Sequence, residues 1–237
     1  SSAGAGGVPP ASTLECPSDA MVCEDFEKAP NPEQPADDQP PLVWPPSFFW
    51  CVPGSCSGVQ QVVDTANPSN HVFRSVWRNG DDHALIGQNP PDDRRPTALT
   101  IEFDYRPAAD WPSDTVPVRW FDWEQSGETA DEKALMLASD RSVTSLRNSG
   151  ETLWEVSNEG LFDPTGLTHV KIVVRHDTPG EENSVAVTIG SGETHNAVVT
   201  LAADAVLNTY FGVQPIDYMP SDPIAADYDN VVIVVEP

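Results

Sequence analysis

The sequence predicts an all-β protein in which antiparallel strands form two packed sheets. Short apolar segments recur about every ten residues, turn-forming residues separate them, and hardly any stretch shows the apolar period of a helix. The clearest strand is Ala98–Arg106, where apolar and polar residues alternate as they do in a half-buried strand. The apolar set is Leu99, Ile101, Phe103 and Tyr105, and the polar set is Thr100, Glu102, Asp104 and Arg106.

Twelve further segments show strand character, so some thirteen strands are predicted in all, as in a sandwich of two antiparallel sheets. Asn79–Asp82 has the composition of a hairpin turn, so we expect it to join His71–Trp77 to the next strand. Glu128–Leu137 also permits a helix, but a turn followed by a strand is preferred. The predicted strands are Val59–Val63, His71–Trp77, Ala84–Gly87, Ala98–Arg106, Val116–Trp123, Ala134–Ser139, Val143–Arg147, Thr152–Val156, His169–Arg175, Ser184–Ile189, Ala197–Leu201, Thr209–Gln214 and Val231–Val235.

Composition excludes several classes of function. The chain has 237 residues, 37 acidic and 12 basic, and a formal net charge of −25. Such a charge repels phosphate backbones, so nucleic acids are not expected as partners. The longest apolar runs fall far short of the ~18–20 residues that a membrane span requires, so no transmembrane segment is predicted.

The amino-terminal region indicates export. Residues 1–13 form a flexible linker, and the small residues Ser1–Gly7 resemble what remains after a secretory or lipoprotein leader is removed, although a trimmed expression product would begin similarly. The four cysteines lack zinc-site spacing and favour disulfides. Local pairs, Cys16 with Cys23 and Cys51 with Cys56, are preferred over a link between the two pairs. We therefore expect a secreted or cell-surface protein, with a lipoprotein anchor as one form.

Domain organisation is predicted to be simple. Residues 14–237 form one domain, which includes an irregular Pro-rich arm at 28–58. Eleven of the 24 prolines lie in the first 53 residues, so regular helix is excluded there. No internal repeat or composition break marks a second domain.

Three segments together resemble the concanavalin A-like lectin/glucanase superfamily over residues 21–236. Val22–Glu27 contains the "DFE" of an opening strand, Tyr228–Val235 contains the "DNV" of the closing strand that pairs with it, and Leu167–Val174 resembles an internal strand. The resemblance implies a two-sheet antiparallel jelly-roll sandwich. This fold carries binding, hydrolase and lyase functions alike, so the fold alone does not select one.

The resemblance also implies a structural Ca²⁺ near the last strand. Asp229 matches the position of the acidic ligand, and Asp25 or Glu27 on the pairing strand is a candidate to supplement it. The alternative is that Asp229 caps a turn.

Catalysis is predicted to be the weaker possibility. Family 16 glycoside hydrolases carry a Glu-x-Asp-x-(x)-Glu run, and here Trp120 stands where the first Glu belongs, which removes the nucleophile. Lyases of this fold use a group that neutralises a uronate carboxylate and a Tyr or His that moves the proton. The candidates for that chemistry are His71, His83, Arg78 and Tyr210, with His71 and His83 flanking the predicted hairpin.

Carbohydrate binding without catalysis is the preferred function. Sugar rings stack on aromatic side chains while neighbouring polar groups bind the hydroxyls. Such a set lies in one predicted strand and comprises Arg119, Trp120, Asp122, Trp123 and Glu124. We expect a lectin-like module that binds an extracellular polysaccharide or glycan on the concave sheet. A polysaccharide lyase or glycoside hydrolase, and a structural or adhesive surface module, are the alternatives.

Overall fold

The computed structural model describes most of the predicted strands and the turns next to them. The described residues are 14–27, 59–77, 86–88, 97–107, 115–124, 130–137, 143–148, 151–157, 161–162, 165–175, 182–200, 205–215 and 224–236. The predictions for Arg78, His83, Cys51 and Cys56 lie outside these residues. Within them, no helix is long and apolar enough to cross a membrane.

The described elements are fourteen β-strands in two antiparallel sheets, as the sequence predicts. The strands are β1 (Ala20–Glu24), β2 (Val59–Val63), β3 (His71–Trp77), β4 (Ile86–Gln88), β5 (Ala98–Arg106), β6 (Thr115–Glu124), β7 (Ala130–Leu137), β8 (Val143–Asn148), β9 (Glu151–Ser157), β10 (Thr168–Arg175), β11 (Glu182–Ile189), β12 (Thr194–Thr200), β13 (Ala205–Pro215) and β14 (Ile224–Glu236). The window 128–137 forms strand rather than helix, since β7 occupies most of it.

The eight-stranded sheet has the order β12-β11-β10-β5-β14-β3-β2, and β1 also pairs with β14. The six-stranded sheet has the order β4-β13-β6-β7-β8-β9. The predicted hairpin between β3 and β4 is wrong, because these strands lie in different sheets. A turn-forming sequence between two strands shows that the chain changes direction, but it does not show whether the next strand pairs with the previous one.

The closing strand β14 has different neighbours along its length. It pairs with β5 on one edge, while β3 pairs with Ile224–Tyr228 and β1 pairs with Val231–Val234 on the other. The change of partner coincides with a bulge between Asp229 and Val232, where Asn230 has a φ of 48°. The predicted pairing of the opening and closing strands is therefore confirmed.

The core lies between the two sheets, and its centre is aromatic. Tyr228 of β14 is fully buried and its ring contacts those of Phe73, Phe103, Tyr105 and Phe211 at centroid distances of 5.5, 6.0, 5.1 and 6.3 Å. Phe211 belongs to the six-stranded sheet and the other four belong to the eight-stranded sheet. This cluster therefore joins the sheets. Aromatic pairs in such arrangements contribute more to stability than the burial of their apolar surface alone.

The amino-terminal side of β1 is fixed by a disulfide between Cys16 and Cys23. This is one of the two local pairs that the cysteine spacing predicts. The bond closes a loop of seven residues against the strand, so the segment before β1 is held close to β14, which pairs with Cys23 at Val232.

Candidate functional site

The predicted carbohydrate-binding residues lie on β6, in the interior of the six-stranded sheet. β6 has β13 on one side and β7 on the other, so it is not an edge strand. Arg119 is opposite Tyr210 of β13 and Ala134 of β7, and Trp123 is opposite Val206 and Ala130. Asp122 and Glu124 are opposite Leu207 and Ala205 on β13, and Trp120 is opposite Thr209. The structure describes these β6 residues by their backbone positions.

Strand alternation divides the β6 positions between two faces. Val118 is buried in the core, as is Phe211, the residue opposite it on β13. Because successive residues of a strand alternate between the faces, positions 120, 122 and 124 share the core face with Val118. Positions 119, 121 and 123 fall on the opposite face, which we call the outer face of the six-stranded sheet.

A row of cross-strand partners runs over this outer face. Tyr210 is opposite Arg119, Arg119 is opposite Ala134, and Ala134 is opposite Arg147 of β8. Neighbouring strands lie about 4.8 Å apart, so the two arginine positions are about 10 Å apart with a small residue between them. Position 123 lies on the same face, about 13 Å from position 119 along the strand.

Two residues of β8 on this face carry buried polar atoms without partners. Leu146 is fully buried in the core, so the flanking residues Ser145 and Arg147 belong to the outer face. Ser145 is only 2% exposed, and its Oγ has no hydrogen-bond partner. The Nε atom of Arg147 is also buried and has none. Neither residue was singled out from the sequence. The pattern that could have identified them is the alternation of Ser145 and Arg147 with the apolar residue Leu146 in the predicted strand Val143–Arg147.

The predicted lyase residues do not all meet. Tyr210 is in the six-stranded sheet beside Arg119, whereas His71 begins β3 in the eight-stranded sheet. There, Glu27 accepts a hydrogen bond from the His71 backbone N–H at 2.9 Å, and its carboxylate lies 3.3 Å from His71 Nδ1. His71 therefore links the segment after β1 to β3, and Tyr210 and Arg119 are the described pair that remains relevant to lyase chemistry.

The predicted calcium ligand Asp229 lies at the β14 bulge. Its Oδ2 accepts a hydrogen bond from Asn70 Nδ2 at 2.8 Å, and its Oδ1 accepts one from the Asn230 backbone N–H at 2.8 Å. Burial raises the pKa of Asp229 to about 7, although these hydrogen bonds oppose the rise.

Asp25, the second predicted calcium ligand, accepts a hydrogen bond at Oδ1 from the Glu27 backbone N–H. Among the described residues, no group of three or more His, Cys, Asp and Glu side chains is placed to hold a metal ion. A calcium site needs six to eight oxygen ligands, which side chains and main-chain carbonyls from several segments would supply together. Calcium binding stays a prediction.

A buried ion-pair network lies next to the bulge, on the outer face of the eight-stranded sheet. Asp227 accepts hydrogen bonds from Arg106 Nη2 at 2.5 Å and from Arg74 Nε at 2.6 Å. Arg106 Nη1 also donates to Asp64 Oδ1 at 2.6 Å. Burial lowers the pKa of Arg106, but the hydrogen bonds and charges of both carboxylates outweigh this effect and raise it. Arg106 is only 5% exposed and lies beside Asp64, which follows β2.

The other polar positions of β5 form the cross-strand ion pairs expected of an outer face. Asp104 Oδ1 lies 2.8 Å from His169 Nδ1, and Glu102 Oε1 accepts a hydrogen bond from Lys171 Nζ at 2.6 Å. Asp104 also accepts a hydrogen bond from Asn230 Nδ2 at 2.7 Å. The hydrogen bond to Asp104 raises the pKa of His169 above its ordinary value.

Comparisons with known proteins identify the fold. No family model matches the sequence, and a comparison with curated proteins finds no relative. Alginate lyase vAL-1 from Chlorella virus has a TM-score of 0.57 at 10% identity, over 75% of this chain and 89% of that one. Cellulose induced protein Cip1 has a TM-score of 0.52 at 15% identity, over 90% and 97%.

A bifunctional GH43-CE protein of Bacteroides eggerthii has a TM-score of 0.60 at 9% identity, over 92% of this chain and 26% of that one. These structures share the concanavalin A-like jelly-roll sandwich, and the chain has this fold. At such low identity, the likeness establishes the architecture alone.

We predict that Asp227→Ala destabilises the protein by about 3–5 kcal/mol, because it leaves Arg106 and Arg74 without their shared carboxylate in a buried site. Urea unfolding measures the change. Glu155→Ala, which removes an exposed carboxylate from β9, serves as the control and should change stability by less than about 0.5 kcal/mol. Equal effects of the two substitutions would show that the network is not a stabilising feature.

We predict that His169 titrates above the ordinary histidine pKa of 6.5 and that Asp104→Asn lowers its pKa. The pairing stabilises the fold fully below the unfolded pKa, and this contribution is lost as the pH rises through the folded pKa. NMR titration of the imidazole measures both values. Lys171→Gln should shift the pKa in the opposite direction, because the Lys171 charge lowers it. A His169 pKa that is insensitive to Asp104→Asn contradicts the assignment.

Proposed function

We propose that the protein binds an extracellular polysaccharide on the outer face of the six-stranded sheet and does not cleave it. The observation that carries the proposal is the cross-strand row of Tyr210, Arg119, Ala134 and Arg147, with Trp123 on the same face. Tyrosine and arginine supply hydrogen bonds to sugar substituents, and tryptophan supplies an apolar surface for a sugar ring. The row crosses four strands and Trp123 lies further along β6, which suits an extended chain better than a small molecule.

The fold and the disulfide support this proposal. The solved structures that share the fold are named as alginate lyases, as a cellulose induced protein and as a GH43-CE protein, and these names associate the architecture with carbohydrates. The Cys16–Cys23 disulfide supports an extracellular location, because disulfides form and persist mainly in oxidising compartments.

The residues favoured within the predicted set are Arg119 and Trp123. They share the outer face with Tyr210, whereas Trp120, Asp122 and Glu124 have the parity of the buried residue Val118.

A polysaccharide lyase is the second candidate, and the placement of Tyr210 opposite Arg119 favours it. Cleavage by elimination needs a base that removes a proton next to a uronate carboxylate and a cation that stabilises the developing charge. Tyrosine and arginine on adjacent strands have the residue types for these two tasks. Binding remains the preferred function, because position 123 on the same face is a tryptophan, a residue type that stacks on sugar rings.

We predict that Trp123→Ala weakens polysaccharide binding about five- to tenfold, because it removes the stacking surface. Titration calorimetry against a panel of soluble polysaccharides measures the dissociation constants. Trp123→Phe should keep part of the affinity. Trp154→Phe is the matched control, because Trp154 packs against the core, and it should leave binding unchanged. If no polysaccharide binds the unsubstituted protein, the proposed function is wrong.

Tyr210→Phe separates binding from catalysis. We expect the unsubstituted protein to release no unsaturated product, which is measured by its ultraviolet absorbance. Tyr210→Phe should bind the polysaccharide with an affinity within about threefold of the original, because one neutral hydrogen bond contributes about 0.5–1.5 kcal/mol. Release of unsaturated product by the unsubstituted protein, and its loss in Tyr210→Phe, would establish the lyase instead.

A further inference from the structure

Arg147 differs from the other arginine and lysine side chains that the structure describes as at least partly buried. Arg74, Arg106 and Lys171 each lie within 4 Å of a carboxylate. No such pair joins Arg147 to a described carboxylate, and its buried Nε has no hydrogen-bond partner. Because 37 of the 237 residues are acidic, a partly buried arginine that has no partner among the described carboxylates is unexpected. A buried donor without a partner also destabilises the fold, and this cost is removed when a ligand supplies an acceptor.

Ser145 provides a second unused polar group on the same face. It precedes Arg147 by two positions, so the two residues are neighbours along one side of β8. Its hydroxyl is buried and has no partner, although a serine hydroxyl can both donate and accept. Two neighbouring residues with unpaired polar atoms therefore lie at the end of the row that begins at Tyr210.

The chemistry of arginine indicates which ligand group fits. A guanidinium presents planar N–H donors in a fork that matches a carboxylate or another oxyanion, and it accepts no hydrogen bond. A neutral sugar hydroxyl satisfies one such donor but leaves the positive charge unpaired. An anionic substituent satisfies both the donors and the charge.

We infer that the bound polysaccharide is acidic, and that one of its anionic groups pairs with Arg147 while Ser145 supplies a further hydrogen bond. This inference rests on the proposed function and adds the class of ligand to it. Arg119, two strands away in the same row, holds the position for a second anionic group about 10 Å from the first.

The overall charge of the protein makes such a contact selective. A net charge of −25 repels a polyanion at long range, but this repulsion is screened beyond about 8 Å at physiological ionic strength. A contact pair with a partly buried guanidinium is screened much less. An acidic chain is therefore held where it meets the partly buried guanidinium of Arg147, and binding should be measured at about 0.15 M salt.

The test compares each acidic polysaccharide with its own neutral form. Polygalacturonate is measured against its carboxyl-reduced product, and a sulfated galactan against its desulfated product, so the panel also separates carboxylate from sulfate. We expect the acidic member of at least one pair to bind about tenfold or more tightly than its neutral form.

Substitutions locate the contact. We expect Arg147→Gln to reduce binding of the acidic form about 10- to 100-fold and to leave binding of the neutral form unchanged. Arg147→Lys keeps the positive charge but lacks the planar fork of donors, so its affinity for the acidic form should lie between those of the unsubstituted protein and Arg147→Gln. Ser145→Ala should weaken binding of the acidic form about threefold or more. Arg175→Gln removes an exposed arginine from β10 in the other sheet and is the matched control. Thermal unfolding shows which variants are folded. If Arg147→Gln does not fold, the comparison is made with Arg147→Lys instead.

The outcomes separate this inference from the proposed function. Equal binding of acidic and neutral forms, or equal effects of Arg147→Gln and Arg175→Gln on the acidic form, overturns the inference and leaves polysaccharide binding in place. The absence of binding to every polysaccharide overturns the proposed function and the inference with it.

Discussion

The packing of Tyr228 against four other aromatic rings is the interaction on which the rest of the structure depends. Its ring contacts side chains from β3, β5 and β13, so one residue of the closing strand links three further strands and both sheets. Because the core face of each strand is fixed by these contacts, the opposite face is fixed as well. A shift by one residue would turn every core side chain of the strand outward, so the buried cluster also determines which polar residues reach the surface.

The two outer faces that result differ in their electrostatics. On the eight-stranded sheet, the buried and half-buried charges next to the bulge are paired, with Asp227 between Arg106 and Arg74, and Asp104 beside His169. Such pairs satisfy one another and leave little capacity for a ligand. On the six-stranded sheet, Arg147 and Ser145 keep unsatisfied polar atoms. Groups that lower stability without serving the fold are expected where function requires them. The outer face of the six-stranded sheet is therefore the better candidate for ligand binding.

The sequence predicts the fold better than the site, for a physical reason. The alternation of apolar and polar residues is a local pattern, so Ala98–Arg106 and the other strands can be predicted from the sequence. The same holds for the disulfide between the neighbouring cysteines Cys16 and Cys23. Pairing between distant strands is not local. The turn after Trp77 predicts a hairpin that does not form, and nothing around Arg106 indicates that Asp64 and Asp227 enclose it. The row of Tyr210, Arg119 and Arg147 joins three segments whose register only the folded sheet defines.

The strands that pair with β14 also determine when the eight-stranded sheet can be completed. Glu24 pairs with Val231, more than 200 positions later, and β3 and β5 pair with the same strand. The Tyr228 ring cluster is likewise absent until this strand is made. Contacts over such long sequence separations form slowly, because the chain loses much entropy before they contribute. The opening strand β1 therefore lacks its described sheet partner until β14 has been made, so the eight-stranded sheet cannot be completed before this segment is present.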